Sequence, residues 1–514
     1  MSEIARTFFE QARRTPDKCA IWCEREPMTY DQLAVFVRCW SNAMVLRGVE
    51  RGDHIAVLLP NNIEFVALML VAAQLGAVLV PMNPSLAVGD VNRAFQAADV
   101  KHLVATSAIL NGLLLSKKLE NSLVSGTWII IDDDLLPNAD NSHIYLLEDL
   151  LKSVSSEVVP ETQASSNDPF ILTMTSGSTG NPKPIILTQQ IKLHRVAAAV
   201  ELYQVTEADI TLTATPLYHS LAERLVLIPL LTGGTAVLMR AFSPSAWLRC
   251  VSELSVSFTI AVSSQLRQIV QMLAQEPASL VSSLRCIVSS SALLDPSVKM
   301  DLLSKFSGDF HECYGASEIA IATNLDSVAA QKKLKSVGQA APGVEIKILQ
   351  ENGDMAKTGE SGEIICKTPM IFAGYYKNSD LTRQSMCEAY FRTGDVGRLD
   401  EDGFLYYLGR QKEIIITGGI NVYPSDIECV LADHPAILEC AAFPFPDKLL
   451  GEIVAVAIVP QDADNFNKRN VRFHCAEHLA DFQQPRKIFI VDELPKNEMG
   501  KIMKQDLLKK FGTP

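Results

Sequence analysis

The 514-residue sequence has no long run of lysine and arginine, no internal repeat, no low-complexity tract and no cysteines at paired zinc spacing. Each absence excludes a class. Without a basic stripe, and with 59 acidic against 46 basic residues giving a net charge of −13, the chain is not expected to track a nucleic-acid backbone. Without repeats it is not a solenoid. Its eleven cysteines are an odd number and, Cys19 and Cys23 apart, stand singly, which suits neither a zinc ribbon nor a disulfide scaffold. A reducing cytoplasm fits that usage. The opening residues MSEIARTFFEQARRTPDK lack the basic cap and apolar core of a leader, and the closing KKFGTP is neither a lipidation nor a peroxisomal signal. One apolar stretch, FVALMLVAAQLGAVLVPM at 65–82, holds only Gln74 as a strongly polar residue. Asn61 and Asn62 can cap a helix start there, Gly76 can end it, and AVLVPM then reads as a buried strand. No membrane span is expected.

What is present is a composition 48% hydrophobic and 20% charged, enough for a large core but more chain than one core usually supports. HIAVLLP (54–60), TWIIIDDD (127–134), SFTIAVSSQ (257–265) and LRCIVSSSA (284–292) read as apolar strands, the last two ending in small polar residues. Strands of this kind separated by helical stretches imply an α/β fold with doubly wound parallel sheets and ligands gathered beyond the strands' carboxyl ends. From about 337 to 409 the texture changes to short alternating strands punctuated by Asn-Gly and Asp-Gly turns, a small antiparallel β region. After Gly409-Arg410 strands and helices alternate again, which sets residues 410–514 apart from 1–409 as a smaller C-terminal domain.

TSGSTGNPKP (175–184) follows an apolar strand with glycines and hydroxyls. Freed backbone N–H groups form a nest for phosphate oxygens, and Lys183 adds a point charge. No Lys-Ser/Thr follows the glycines, so this is not a Walker A loop, and a plain polar surface loop has the same composition. Its companions decide between these. YGASE (314–318), YFRTGDVGRLDEDGFLYYLGRQKEIIITGGINVYPSDIE (390–428) and LPKNEMGKIMKQDL (494–507) follow in the order and spacing of the adenylate-forming superfamily, and the sequence resembles its acyl- and aryl-CoA synthetase branch from about residue 5 to 510.

The resemblance implies a large N-terminal domain with a small β-barrel subdomain, a mobile α+β C-terminal lid, and ATP, Mg2+ and coenzyme A as partners in the chemistry. Thr175, Ser176, Gly177, Ser178, Thr179, Gly180 and Lys183 would embrace the β- and γ-phosphates. Tyr314 would lie along adenine with Gly315 beside it, Ser317 would reach the α-phosphate, and Glu318 would hold the metal. Asp395, read as lying in the turn of RTGD, would grip the ribose hydroxyls, and Arg410 would pair with ribose or phosphate. Lys501 would bridge the attacking carboxylate and the α-phosphate, stabilising charge that builds only in transit. Lys412 matches the hinge, and Gly418 and Gly419 would border a pantetheine tunnel, where glycine lets a backbone approach a threading ligand.

For the acyl pocket the resemblance points to His219, Ser220, Ser290, Ser291, Ala292 and Gly315. An amino-acid substrate is disfavoured, because His219 stands where amino-acid-activating relatives carry an Asp for the substrate ammonium. Two departures from the family pattern are visible. Ser290-Ser291 replaces a pair of glycines, and Pro184 replaces the glycine after the loop lysine, removing a donor and stiffening the exit. The expected activity is an AMP-forming acid:CoA ligase. Transfer of the acyl group to a carrier protein, a non-catalytic binding relative, and a kinase or NTPase that would yield ADP are the competing readings.

Overall fold

The computed structural model describes residues 2–24, 26–115, 126–132, 143–156, 164–176, 182–497 and 500–512. Among these residues two large sheets form the body of the protein. One has seven strands, in the order Ile144–Leu146, Trp128–Ile130, His102–Ala105, His54–Leu58, Val78–Pro81, Pro169–Ser176 and Pro182–Thr188, parallel except for the closing hairpin. The other has nine, with Asp309–Tyr314, Cys286–Ser290, Phe258–Val262 and Ile210–Thr213 adjacent and parallel at its centre. The carboxyl ends of these four strands open on one edge, and there the chain turns polar at Ser263, Ser290 and Gly315.

The apolar stretch at 65–82 folds as the helix Ile63–Leu75, ended by Gly76 at φ +73, followed by the buried strand Val78–Pro81. Every residue of that helix except Glu64 is buried, against the helices Tyr30–Leu46 and Glu3–Arg14. Each large apolar side chain so buried stabilises by about 1.5–3 kcal/mol. No helix among the described residues is long and apolar enough to cross a membrane. Asn62 caps the helix, accepting from Phe65 N. Asn61 does not cap it; its amide donates to the carbonyls of Thr215 and Met239, both at 2.9 Å, and accepts from Leu217 N at 2.7 Å. A residue that leaves one sheet thus binds the strand exits of the other.

The β region follows as a five-stranded antiparallel sheet containing Gly362–Lys367, Tyr390–Leu399 and Leu405–Arg410. A 3-10 turn, Gln411–Glu413, leads from it to a mixed sheet packed with the helices Pro424–Ala432, Lys468–His478 and Lys504–Phe511. Two apolar clusters of this last segment draw only on residues from Ile415 to Phe511.

Candidate active site

Asp395 is the centre of the arrangement. It lies within the strand Tyr390–Leu399, not in a turn: Gly394 at φ +67 and a bulge at Val396/Gly397 make RTGD look turn-like in sequence, while pairing with Arg410 on the neighbouring strand keeps the backbone extended. The residue is 2% exposed. Tyr314 Oη donates to its Oδ2 at 2.7 Å, and Arg410 Nε stands 2.7 Å from Oδ1. That guanidinium contact is off the N–H axis, so Oδ1 is left without an aligned donor and can accept one from a ligand hydroxyl. Burial pushes the Asp395 carboxyl up from its ordinary value, against the opposing pull of Arg410 and Tyr314.

YGASE begins at the end of the strand Asp309–Tyr314 and closes a tight loop in which Ala320 N donates to Ala316 O and Ala322 N to Tyr314 O. The loop accounts for Gly315, because a Cβ there would lie 1.7 Å from Ala320 O. Half-buried Glu318 takes a hydrogen bond from Tyr375 Oη at 3.1 Å on Oε1. Among the described residues no cluster of three metal-binding side chains exists. A single carboxylate of this kind suits Mg2+, which binds through one or two carboxylates together with substrate phosphates.

Of the phosphate-loop residues, Gly177, Ser178, Thr179 and Gly180 lie outside the described residues, and Thr175 and Ser176 are placed by their backbone in Pro169–Ser176. Lys183 and Pro184 fall in Pro182–Thr188, the edge strand of the seven-stranded sheet, with Lys183 opposite Thr175. Pro184 O accepts from Tyr376 N at 2.9 Å, so its missing donor points away from the neighbouring strand and costs no ladder hydrogen bond.

Lys501 arrives from the far end of the chain. Its amide donates to Asn497 Oδ1 at 2.9 Å, Gly500 before it turns at φ +72, and that turn is pressed against Ser264 at the start of the helix Ser263–Leu273. Burial lowers the Lys501 ammonium from its ordinary value, Arg410 adds to the lowering, and Glu413 and Asp395 oppose it. Lys501 is therefore an electrostatic neighbour of the Asp395–Arg410 pair. A cavity of about 380 Å³ lies alongside, between Pro216, Ser264 and Gln265 of the large body and Lys496, Asn497 and Gly500.

His219 precedes the helix Ser220–Thr232, its ring 4.7 Å from that of Tyr218. Burial lowers its pKa to about 4, so the imidazole is neutral at pH 7. Since the folded state resists protonation, stability is expected to be full above the unfolded value near 6.5 and to fall as pH drops toward 4. Chemical unfolding of His219→Gln, followed at pH 7, 5.5 and 4, should show a flatter decline than the natural chain. Ser220 Oγ accepts from Arg195 Nη1 at 3.2 Å and from Lys192 Nζ at 3.5 Å. Lys192 also forms a buried ion pair with Glu223. None of Lys192, Arg195, Glu223 or Tyr375 is singled out by sequence. The available signal is Glu223-Arg224 inside the otherwise apolar SLAERLVLIPLL.

Ser290 ends its strand, Ala292 O accepts from Ser263 Oγ at 2.5 Å, and Ser291 between them has φ +77. The serine thus occupies a left-handed position that costs a residue with a Cβ about 1–2 kcal/mol. Ser291→Gly is expected to be more stable than Ser291→Ala by up to about 1 kcal/mol, measured by denaturant midpoint. Gly418 and Gly419, both at positive φ, are the two turn residues between Ile415–Thr417 and Ile420–Val422, a hairpin geometry that calls for glycine by itself. Lys412 is exposed in the 3-10 turn.

Two family models match the chain. The AMP-binding enzyme family matches residues 8–376, and the AMP-binding enzyme C-terminal domain matches residues 426–501. The chain belongs to the AMP-binding enzyme family. Within it the protein falls in the acyl- and aryl-CoA synthetase branch of the adenylate-forming superfamily. It is similar to an indoleacetate–CoA ligase of Aromatoleum aromaticum, 29% identical over 98% of this chain and 97% of that one. It is also similar to a probable CoA ligase of Humulus lupulus, 30% identical over 94% of this chain and 91% of that one. Among solved structures, the o-succinylbenzoate CoA synthetase of Bacillus subtilis in complex with its acyl-adenylate matches with a TM-score of 0.85, 26% identical, covering 98% and 97% of the two chains. The α/β body and the α+β C-terminal segment are this superfamily's fold.

Proposed function

We propose that this AMP-binding enzyme is an ATP-dependent acid:CoA ligase that forms an acyl adenylate and then a thioester, with residues 1–409 binding nucleotide and acid and residues 410–514 acting as a mobile lid in a reducing cytoplasm. The observation that carries the reading is the buried Tyr314–Asp395–Arg410 arrangement, which leaves Asp395 Oδ1 open to a ligand hydroxyl, with the charge of Lys501 from the C-terminal segment acting on the same pair. Asp395 Oδ1 accepts from the ribose, with Arg410 fixing the carboxylate and Tyr314 lying along the base. The loop from Thr175 to Lys183 holds the phosphates that depart as pyrophosphate, and Ser317 reaches the α-phosphate. Mg2+ carried by the nucleotide would meet Glu318, supplying charge neutralisation at the phosphates.

A carboxylate is a poor electrophile. Its oxygen forms a bond to the α-phosphorus as the bond to the β-phosphate oxygen breaks, giving acyl-AMP and pyrophosphate. Lys501 stabilises the charge shared between the two oxygens. His219, uncharged, and Ser220, Ser290, Ser291, Ala292 and Gly315 flank the acyl group. In the second step coenzyme A sulfur bonds to the acyl carbon and AMP leaves with the electron pair of the acyl–oxygen bond. For that step the lid turns about Lys412 and brings Gly418-Gly419 to the thiol's path.

Incubation with ATP, Mg2+, CoA and panels of short, long, aromatic and dicarboxylic acids tests the reading. AMP and pyrophosphate should accumulate with at least one panel, and ATP–pyrophosphate exchange should persist without CoA. Accumulation of ADP in place of AMP would overturn it.

A further inference from the structure

We infer that the acyl pocket is built for an acid carrying a second carboxylate, which Arg224 receives one helical turn beyond the reacting end; this rests on the ligase reading. The ground is a buried charge imbalance. Lys192, Arg195 and Arg224 are 1%, 2% and 6% exposed; among the described residues Glu223, at 0%, is the anion packed with them, and Glu318 acts on Arg195 as well, so three cations face two carboxylates. Glu223 is engaged by Lys192. Arg195 spends its donors on neutral oxygens, the carbonyls of Ser317, Glu318 and Met370 and the hydroxyl of Ser220. Arg224 has no such set: its Nε is buried without an acceptor, and among the described residues no carboxylate pairs with its guanidinium.

A guanidinium cannot escape the cost of burial by losing its proton, so an unpaired one marks a place where an anion is missing. Its location indicates which anion. Arg224 is four residues after Ser220 on the helix Ser220–Thr232, hence on the same face and about 5–6 Å further along the axis. Ser220 is the acyl-pocket residue beside His219, and the helix leads inward from it. The electrostatic neighbours of Arg224 include these groups: burial first and Arg224 next hold Arg195 down at about 9, Arg224 adds to the depression of Lys192, held at about 8 chiefly by burial, and it also acts on the buried Tyr203. A monoacid would leave this excess positive charge facing hydrocarbon. A diacid supplies the compensating charge at the depth where the imbalance lies.

The test compares kcat/KM for pyrophosphate release with succinate, glutarate and adipate against butyrate, valerate and hexanoate, in the natural chain, Arg224→Met and Arg224→Lys. Expected are at least a tenfold preference for the diacids in the natural chain, loss or reversal of that preference in Arg224→Met, and partial retention in Arg224→Lys. Equal or better use of the monoacids by the natural chain overturns the inference while leaving the ligase reading intact, as does an equal loss for both series in Arg224→Met. Should no acid yield AMP, the ligase reading falls. Calorimetric titration of the three diacids then judges Arg224 by itself: binding to the natural chain that Arg224→Met loses supports the inference, and no binding overturns it. If Arg224→Met fails to fold, Arg224→Lys decides, since it keeps the charge and must keep the diacid preference.

Discussion

Lys501→Ala is expected to lower acid-dependent AMP formation by about a hundred- to a thousandfold, the range for removing one group aimed at transition-state charge. The loss should fall on kcat with little change in KM for ATP, because in the proposed reading the ammonium meets charge that develops during the displacement, while Asp395, Arg410 and the phosphate loop would still hold the nucleotide. Thermal stability should not fall, since the amide of residue 501 keeps its bond to Asn497 Oδ1 and truncation removes a partly desolvated cation. Thioester formation from supplied acyl-AMP and CoA should stay within a few-fold of normal, because the proposed reading assigns that step to Gly418-Gly419 instead. A variant that adenylates normally would remove Lys501 from the reaction.

Gly500→Ala should reproduce most of that loss without touching a charged group. A Cβ on residue 500 would lie 2.0 Å from Ser264 Oγ and 2.5 Å from Ser264 Cβ, and φ +72 disfavours any residue with a Cβ there by about 1 kcal/mol or more. The turn must retreat, and it takes Lys501 with it. A displacement near 1 Å costs about a hundredfold when reacting groups have to meet in line. Adding Ser264→Gly should recover part of the rate by removing the clash, with the left-handed strain remaining. Full adenylation by Gly500→Ala alone would mean that the turn does not dock on Ser264 while the adenylate forms.

Much of this architecture is legible in the sequence because its signals are local. Apolar runs ending in small polar residues mark the parallel strands and their ligand edge, Gly76 marks a helix end, and glycine pairs mark hairpins. The family motifs extend that legibility to Tyr314, Asp395, Arg410 and Lys501, which the fold brings together from separations of up to 187 residues along the chain. Two kinds of feature are not legible. RTGD reads as a turn because glycine and aspartate favour turns locally, and only pairing with Arg410 makes Asp395 part of a strand. Glu223 looks like an error in an apolar helix, and Lys192 like one more polar residue of a mixed one, until tertiary packing places them opposite each other, 31 residues apart. Asn61 is a third case of the same kind: a plausible cap by composition, claimed instead by Thr215, Leu217 and Met239.

That amide also ties the two large sheets to each other. Asn61 leaves the seven-stranded sheet and fastens the exits of two strands of the nine-stranded one, with its amide wholly enclosed. Shear between the two sheets would break three hydrogen bonds in a place water does not reach, so the seam transmits load and does not absorb it. Across the turn Gln411–Glu413 the fastening is lighter in kind: Ser425 Oγ donates to Leu408 O at 2.7 Å from a partly buried position. The exits of those two strands therefore keep their spacing, and the polar edge of the nine-stranded sheet is held to the body of the other sheet by an enclosed amide.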